Sequence, residues 1–148
     1  MNSIGPSAAR RVDRPTRLQC EAQRLVAHLA RGQQAVADGL QRLLDTARAG
    51  VPASRLAEAW TFALAEHGLT KPSRLGYSIG IGYPPDWGER TMSLRPGDRT
   101  VLQPGMTFHF MTGLWTDEMG LEITESVVIT EGAPELLASV PRKLFVKD

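Results

Sequence analysis

The stretch Gly76-Tyr77-Ser78-Ile79-Gly80-Ile81-Gly82 is where the chain changes its period. Tyr77, Ile79 and Ile81 alternate with Ser78, Gly80 and Gly82, the two-residue repeat of a strand with one apolar face. Upstream of it the repeat is helical. Leu25, Leu29, Val36, Leu40, Leu43, Leu44 and Ala47 recur at spacings of 3, 4 and 7, which puts them on one face of a helix. Gly32 and Gly39 each weaken that helix by about 1 kcal/mol relative to alanine, so a break near Gly32 enters the expectation. Ala49-Gly50-Val51-Pro52 ends it, because glycine closes helices and proline opens them. A second helix carries Leu56, Trp60, Ala63, Leu64 and His67 on its buried stripe, and Gly68 closes it.

Downstream, Tyr83 to Asp98 reads as a loop, with Pro84-Pro85 and Pro96-Gly97 as turn signals. Alternation returns at Met106, Phe108 and Phe110 and again at Leu121, Ile123, Val127 and Ile129. Glu131-Gly132 predicts a turn, Pro134 to Ser139 a short helix and Leu144-Phe145-Val146 a final edge strand. Two long helices followed by an antiparallel sheet make an α+β layout.

The chain has 148 residues, 42% of them hydrophobic, enough for a single core. Its net charge of +1 gives no global reason to expect nucleic acid or a membrane surface as partner. Arg10, Arg11, Arg14 and Arg17 are opposed by Asp13 alone among the first 20 residues, the pattern of a solvated basic tail. The lone Cys20 excludes an internal disulfide and fits a reducing cytoplasm; with no histidine near it in sequence it reads as an inert thiol. No run approaches the roughly 20 apolar residues of a membrane span, and Met1 to Arg11 lacks the apolar stretch of a signal peptide. A cytoplasmic location is the expectation.

Ser73-Arg74-Leu75-Gly76-Tyr77-Ser78-Ile79-Gly80, Tyr83-Pro84-Pro85-Asp86-Trp87-Gly88-Glu89 and Ser93-Leu94-Arg95-Pro96-Gly97-Asp98 follow one another in order. Leu102-Gln103-Pro104-Gly105-Met106-Thr107-Phe108-His109 and Pro141-Arg142-Lys143-Leu144-Phe145-Val146-Lys147-Asp148 complete the series. Together they resemble the C-terminal region of the creatinase and aminopeptidase-P superfamily, and within it the bacterial ectoine hydrolases. The resemblance implies the C-terminal half of a pita-bread fold, with residues 19–148 as a partial domain and 1–18 as a non-matching segment. It also implies a truncated copy, since the family's upstream strands and separate N-terminal domain find no counterpart in Met1 to Leu18.

Metallopeptidases of the superfamily hold two divalent ions through two aspartates, a histidine and two glutamates. The resemblance puts that histidine at Tyr77 and the two glutamates at Met111 and Thr124, with Glu125 in a neighbouring aspartate's place. A phenol, a thioether and a hydroxyl are poor ligands for hard ions. No metal and no cofactor is therefore expected, and a Xaa-Pro metallopeptidase is disfavoured. What the ectoine-hydrolase resemblance implies instead is metal-free opening of a cyclic amidine by an acidic nucleophile, giving an N-acetyl-diaminobutyrate. A covalent intermediate splits one hard step into two easier ones.

Alternation puts Glu122, Thr124 and Ser126 on one face and Leu121, Ile123, Glu125, Val127 and Ile129 on the other. Glu125 in an apolar row has two readings: a buried carboxylate paired with an arginine, or a group that orients substrate. His109 alternates away from Phe108 and Phe110 and is the second catalytic candidate, against a structural role. Tyr77, Ser78, Met111, Trp115 and Thr124 are candidate substrate contacts. Tyr83 and Trp87 would offer aromatic walls to a cationic ring, an attraction of about 0.5–2 kcal/mol, with Glu89 as a countercharge. The expected partner is a small ectoine-like molecule, and the resemblance adds a homodimer. The alternative function is a non-catalytic pita-bread binding module.

Overall fold

The computed structural model describes residues 16–71, 74–80, 89–117 and 120–143; for Ala22 and 89–91 the backbone alone is described. Two helices, α1 (Arg17–Thr46) and α2 (Ala53–Glu66), precede five strands: β1 (Gly76–Ser78), β2 (Glu89–Leu94), β3 (Thr107–Trp115), β4 (Gly120–Val128) and β5 (Glu135–Leu136). The strands form one antiparallel sheet in the order β2-β1-β3-β4-β5.

Helix α1 opens with a reciprocal cap: the Gln19 amide donates to the Thr16 hydroxyl, and the Thr16 amide donates to Oε1 of Gln19 at 2.7 Å. It then runs unbroken for 30 residues. The break expected near Gly32 does not occur, because the helix gains more from packing on the sheet than one glycine costs. Gly39 has a packing role: a Cβ there would meet the Trp60 ring at 2.4 Å, so its bare backbone lets α2 lie close. Val36, Leu40, Leu43, Leu44 and Ala47 join Leu56, Trp60 and Leu64 in the core, against Phe108, Phe110, Leu114 and Val127 of the sheet.

Several expectations fail. Leu25 is half exposed, since the first turns of α1 precede the stretch that packs on the core. His67 is not buried; it forms the C-cap of α2 and meets Asp38 of α1 at 3.0 Å, beside the Arg42–Glu66 pair at 2.6 Å. The loop expected from Tyr83 to Asp98 contains β2, in which Met92 and Leu94 are buried. Strand β1 stops at Ser78, although the Ile79 amide still donates to the Thr107 carbonyl at 3.0 Å. The helix expected at Pro134 to Ser139 is instead the short strand β5. Its backbone is taken by β4, as the Leu137 amide shows by donating to the Ser126 carbonyl at 2.8 Å. The edge strand expected at Leu144-Phe145-Val146 lies outside the described residues, as does the basic segment up to residue 15. No helix among the described residues is long and apolar enough to cross a membrane.

Candidate active-site face

Because side chains alternate across a strand, the register of the sheet assigns each to a face. One face packs on the helices: Phe108, Phe110, Thr112 and Leu114 of β3, with Val127, Glu125, Ile123 and Leu121 opposite them on β4. The other carries His109, Met111, Gly113 and Trp115 on β3, with Ser126, Thr124, Glu122 and Gly120 as their cross-strand partners. Tyr77 is opposite both His109 and Ser93, which gives a row across four strands: Ser93, Tyr77, His109 and Ser126. No helix or strand among the described residues covers this second face.

The row is linked by specific contacts. Nδ1 of His109 lies 3.2 Å from Oγ of Ser126, and the His109 and Tyr77 rings are 5.5 Å apart. The Arg74 guanidinium sits over the Tyr77 ring at 5.1 Å. One residue pair along, Met111 and Thr124 face each other directly. Further along, Trp115 is 67% exposed and lies across its strand partner Gly120, where a Cβ would meet the indole at 2.4 Å. Lys71 closes the sheet edge here, donating from Nζ to the Met111 carbonyl at 3.1 Å beside the Trp60 ring. Burial pushes the Lys71 ammonium below its ordinary range, and Glu122 partly offsets the shift.

The structure thus gathers Tyr77, His109, Met111, Thr124 and Trp115 on one face. Two candidates are elsewhere. Ser78 points to the helix side with its partner Phe108, one residue out of phase with Tyr77. Glu125 is 6% exposed on that same side, where Arg142 donates from Nε to Oε1 at 2.7 Å and reaches Gln41 with Nη1 at 3.2 Å. A charge taken out of water needs such a partner. Glu125 and His109 therefore do not meet, and the paired-carboxylate reading holds for Glu125. Tyr83 and Trp87 lie outside the described residues, and Glu89 is described in its backbone only. Sequence reasoning missed Ser93, hidden in an expected loop, and Arg74, present in a motif but given no role.

Comparison with known proteins places this geometry. The profile of metallopeptidase family M24 matches residues 23–131. The chain belongs to family M24. Residues of this M24 chain are 53% identical over 118 positions to the ectoine hydrolase of Halomonas elongata, covering 79% of the chain and 30% of that protein. An uncharacterised hydrolase/peptidase of Sinorhizobium fredii is 48% identical over 113 residues, 76% of this chain and 29% of its own. The chain thus spans about 30% of the length of these curated relatives. Among solved structures, the X-Pro aminopeptidase of Thermotoga maritima superposes with a TM-score of 0.72 at 25% identity, over 81% of this chain and 33% of that one. The dipeptidase PepE of Mycobacterium ulcerans gives 0.71 at 26%, over 79% and 31%. The α+β fold is that of a pita-bread fragment.

The family name implies a metal, and the described residues at the positions compared are not the ligands it would ask for. At the three positions where the resemblance puts imidazole and carboxylates stand Tyr77, Met111 and Thr124, and no cluster of three or more His, Cys, Asp or Glu among the described residues could hold an ion.

Proposed function

We propose that this chain forms one wall of an ectoine-hydrolase-like site that breaks a carbon–nitrogen bond of a cyclic amidine without a metal. The observation that carries the reading is the placement of Tyr77, Met111 and Thr124 on one face of the sheet that no described helix or strand covers, in a chain 53% identical over 118 residues to an ectoine hydrolase. Ectoine is a small zwitterion with an amidine ring and a carboxylate. Neutral side chains in place of metal ligands leave room for the ring, and an aromatic ring such as Tyr77 attracts its positive charge. In this reading His109, whose Nδ1 is 3.2 Å from Oγ of Ser126, passes a proton to the departing nitrogen when the amidine carbon gains oxygen and the ring opens. The attacking acid is not assigned to a described residue. The same reading includes residues 19–148 as one partial domain, a homodimer and a cytoplasmic location.

Calorimetric titration of the full chain with ectoine, with metal content measured on the same sample, tests it. Saturable binding that survives a chelator is the expected result. A folded chain that takes no ectoine, or takes it only with stoichiometric metal, sinks the reading. The placement of Glu125 favours a second reading, a binding module without chemistry: the carboxylate nearest His109 in register is engaged by Arg142 on the opposite face. Ectoine bound by the chain but left intact after completion with the remainder of a homologous enzyme would favour that second reading.

A further inference from the structure

Beside Tyr77 the sheet ends in a groove of about 620 Å3. Arg74 lines it from before β1, Ser93 from the end of strand β2, and Arg95 and Asp98 from the bend that follows. That bend is a built one. The Asp98 amide bonds back to the Arg95 carbonyl at 3.3 Å, Pro96 presets its first corner and Gly97 takes φ +81 at the second. Arg95 is thereby held beside the strand that carries Ser93.

Three features of the groove ask for an oxyanion. Two guanidiniums, Arg74 and Arg95, face one carboxylate, Asp98, so positive charge is in excess. That carboxylate is already engaged, taking the Thr100 amide at 2.9 Å. The Ser93 Oγ is buried and has no hydrogen-bond partner among the described residues. A buried hydroxyl without a partner is uncommon in folded proteins and marks a place where a ligand atom or water completes the bonding. Ser93 is also the strand neighbour of Tyr77, and Arg74 stacks on the Tyr77 ring, so two of the residues that line the groove adjoin the polar row.

We propose that this groove is an oxyanion site in which Arg74, Arg95 and the Ser93 hydroxyl receive the carboxylate of a ligand whose ring extends past Tyr77 toward His109. The inference rests on the reading of the open face as an ectoine-like site. It orients the ligand, with its negative end toward β2 and its cationic ring toward β3 and β4, away from the two arginines. It also gives the site a means of rejecting amidines that carry no carboxylate.

The test is calorimetry on the full chain with ectoine and with ectoine carboxamide, which keeps the ring and removes the negative charge. Arg95→Gln and Ser93→Ala are each expected to weaken ectoine binding by about tenfold, the worth of one charge-assisted hydrogen bond, and to leave the carboxamide unchanged. Variants that bind ectoine like the parent, or that lose both ligands equally, overturn the proposal; thermal unfolding confirms that each variant is folded. Should the parent chain take no ectoine, the functional reading fails separately. The groove is then judged with acetate and inorganic phosphate, followed through the side-chain N–H signals of Arg74 and Arg95 by NMR. Saturable shifts that shrink in Arg95→Gln uphold an oxyanion site, and their absence overturns it.

Discussion

The two faces of the sheet come from the same residues of β3 and β4 taken alternately, yet they obey different rules. On the helix side Phe108, Phe110, Leu114 and Val127 are buried and apolar, and the one charge, Glu125, is matched by Arg142. On the other side histidine, methionine, threonine, serine and glutamate stand in register, partly exposed. The lesson is a division of labour at single-residue resolution: one face holds the protein together, and the other is free to change chemistry. That freedom is how a metallopeptidase fold can carry Tyr77, Met111 and Thr124 without losing its shape.

The sharpest way to break the comparison is to cut into the covered face. Trp60→Ala removes a side chain that is 1% exposed and packed on Gly39, and a loss of about 3–5 kcal/mol is expected in denaturant unfolding. A loss below about 1 kcal/mol would mean that the helix layer contributes little. Next comes the charge within that face. Arg142→Met strands the Glu125 carboxylate and should cost about 3 kcal/mol, most of which the double variant with Glu125→Leu recovers. A double variant as unstable as the single one would show that Arg142 acts by packing rather than by charge.

The open face should respond in the opposite sense. Thr124→Ala and His109→Ala are expected to shift stability by no more than about 0.5 kcal/mol while reducing ectoine binding or turnover. Large destabilisation with unchanged binding would erase the distinction between the faces. The smallest effect concerns acid. Hydrogen bonds from the Thr100 hydroxyl, and then from the Thr100 and Ser93 backbone, hold the Asp98 carboxyl below its ordinary value of 3.8. A depressed carboxyl adds stability above its unfolded pKa and loses it as pH falls through the folded one. The parent should therefore soften on acidification below about pH 3.8, and Asp98→Asn should show a flatter acid limb in thermal melts.

How far each face was legible follows from the length of its pattern. The stripe from Val36 to Ala47 and the runs in β3 and β4 repeat often enough to declare their type, and their alternation assigned Thr124 and Glu125 to opposite faces. Strand β2 was not legible, because Glu89-Arg90-Thr91-Met92-Ser93-Leu94 offers two apolar residues between prolines and glycines, and its partners are distant in sequence. Strand β5 is two residues held by β4, too short for any period. Tyr77, Met111 and Thr124 were singled out by resemblance rather than by pattern. The face of Ser78 was available from parity with Tyr77, and its choice as a substrate contact ignored that rule. Arg142 as the partner of Glu125 depends on tertiary approach across 17 residues, which no local pattern encodes.

The start of α2 has a consequence for how the molecule assembles. Pro52 gives that helix no side-chain cap. Its first amides are met from far along the chain, Ala53 by the Thr100 carbonyl and Ser54 by that of Asp98, while Gly50 and Val51 exchange bonds with Leu102. The helix therefore has no finished beginning until the segment after β2 arrives. During synthesis the two helices will leave the ribosome before the residues that complete them, so the hairpin waits, frayed at its corner, for a strand yet to be made.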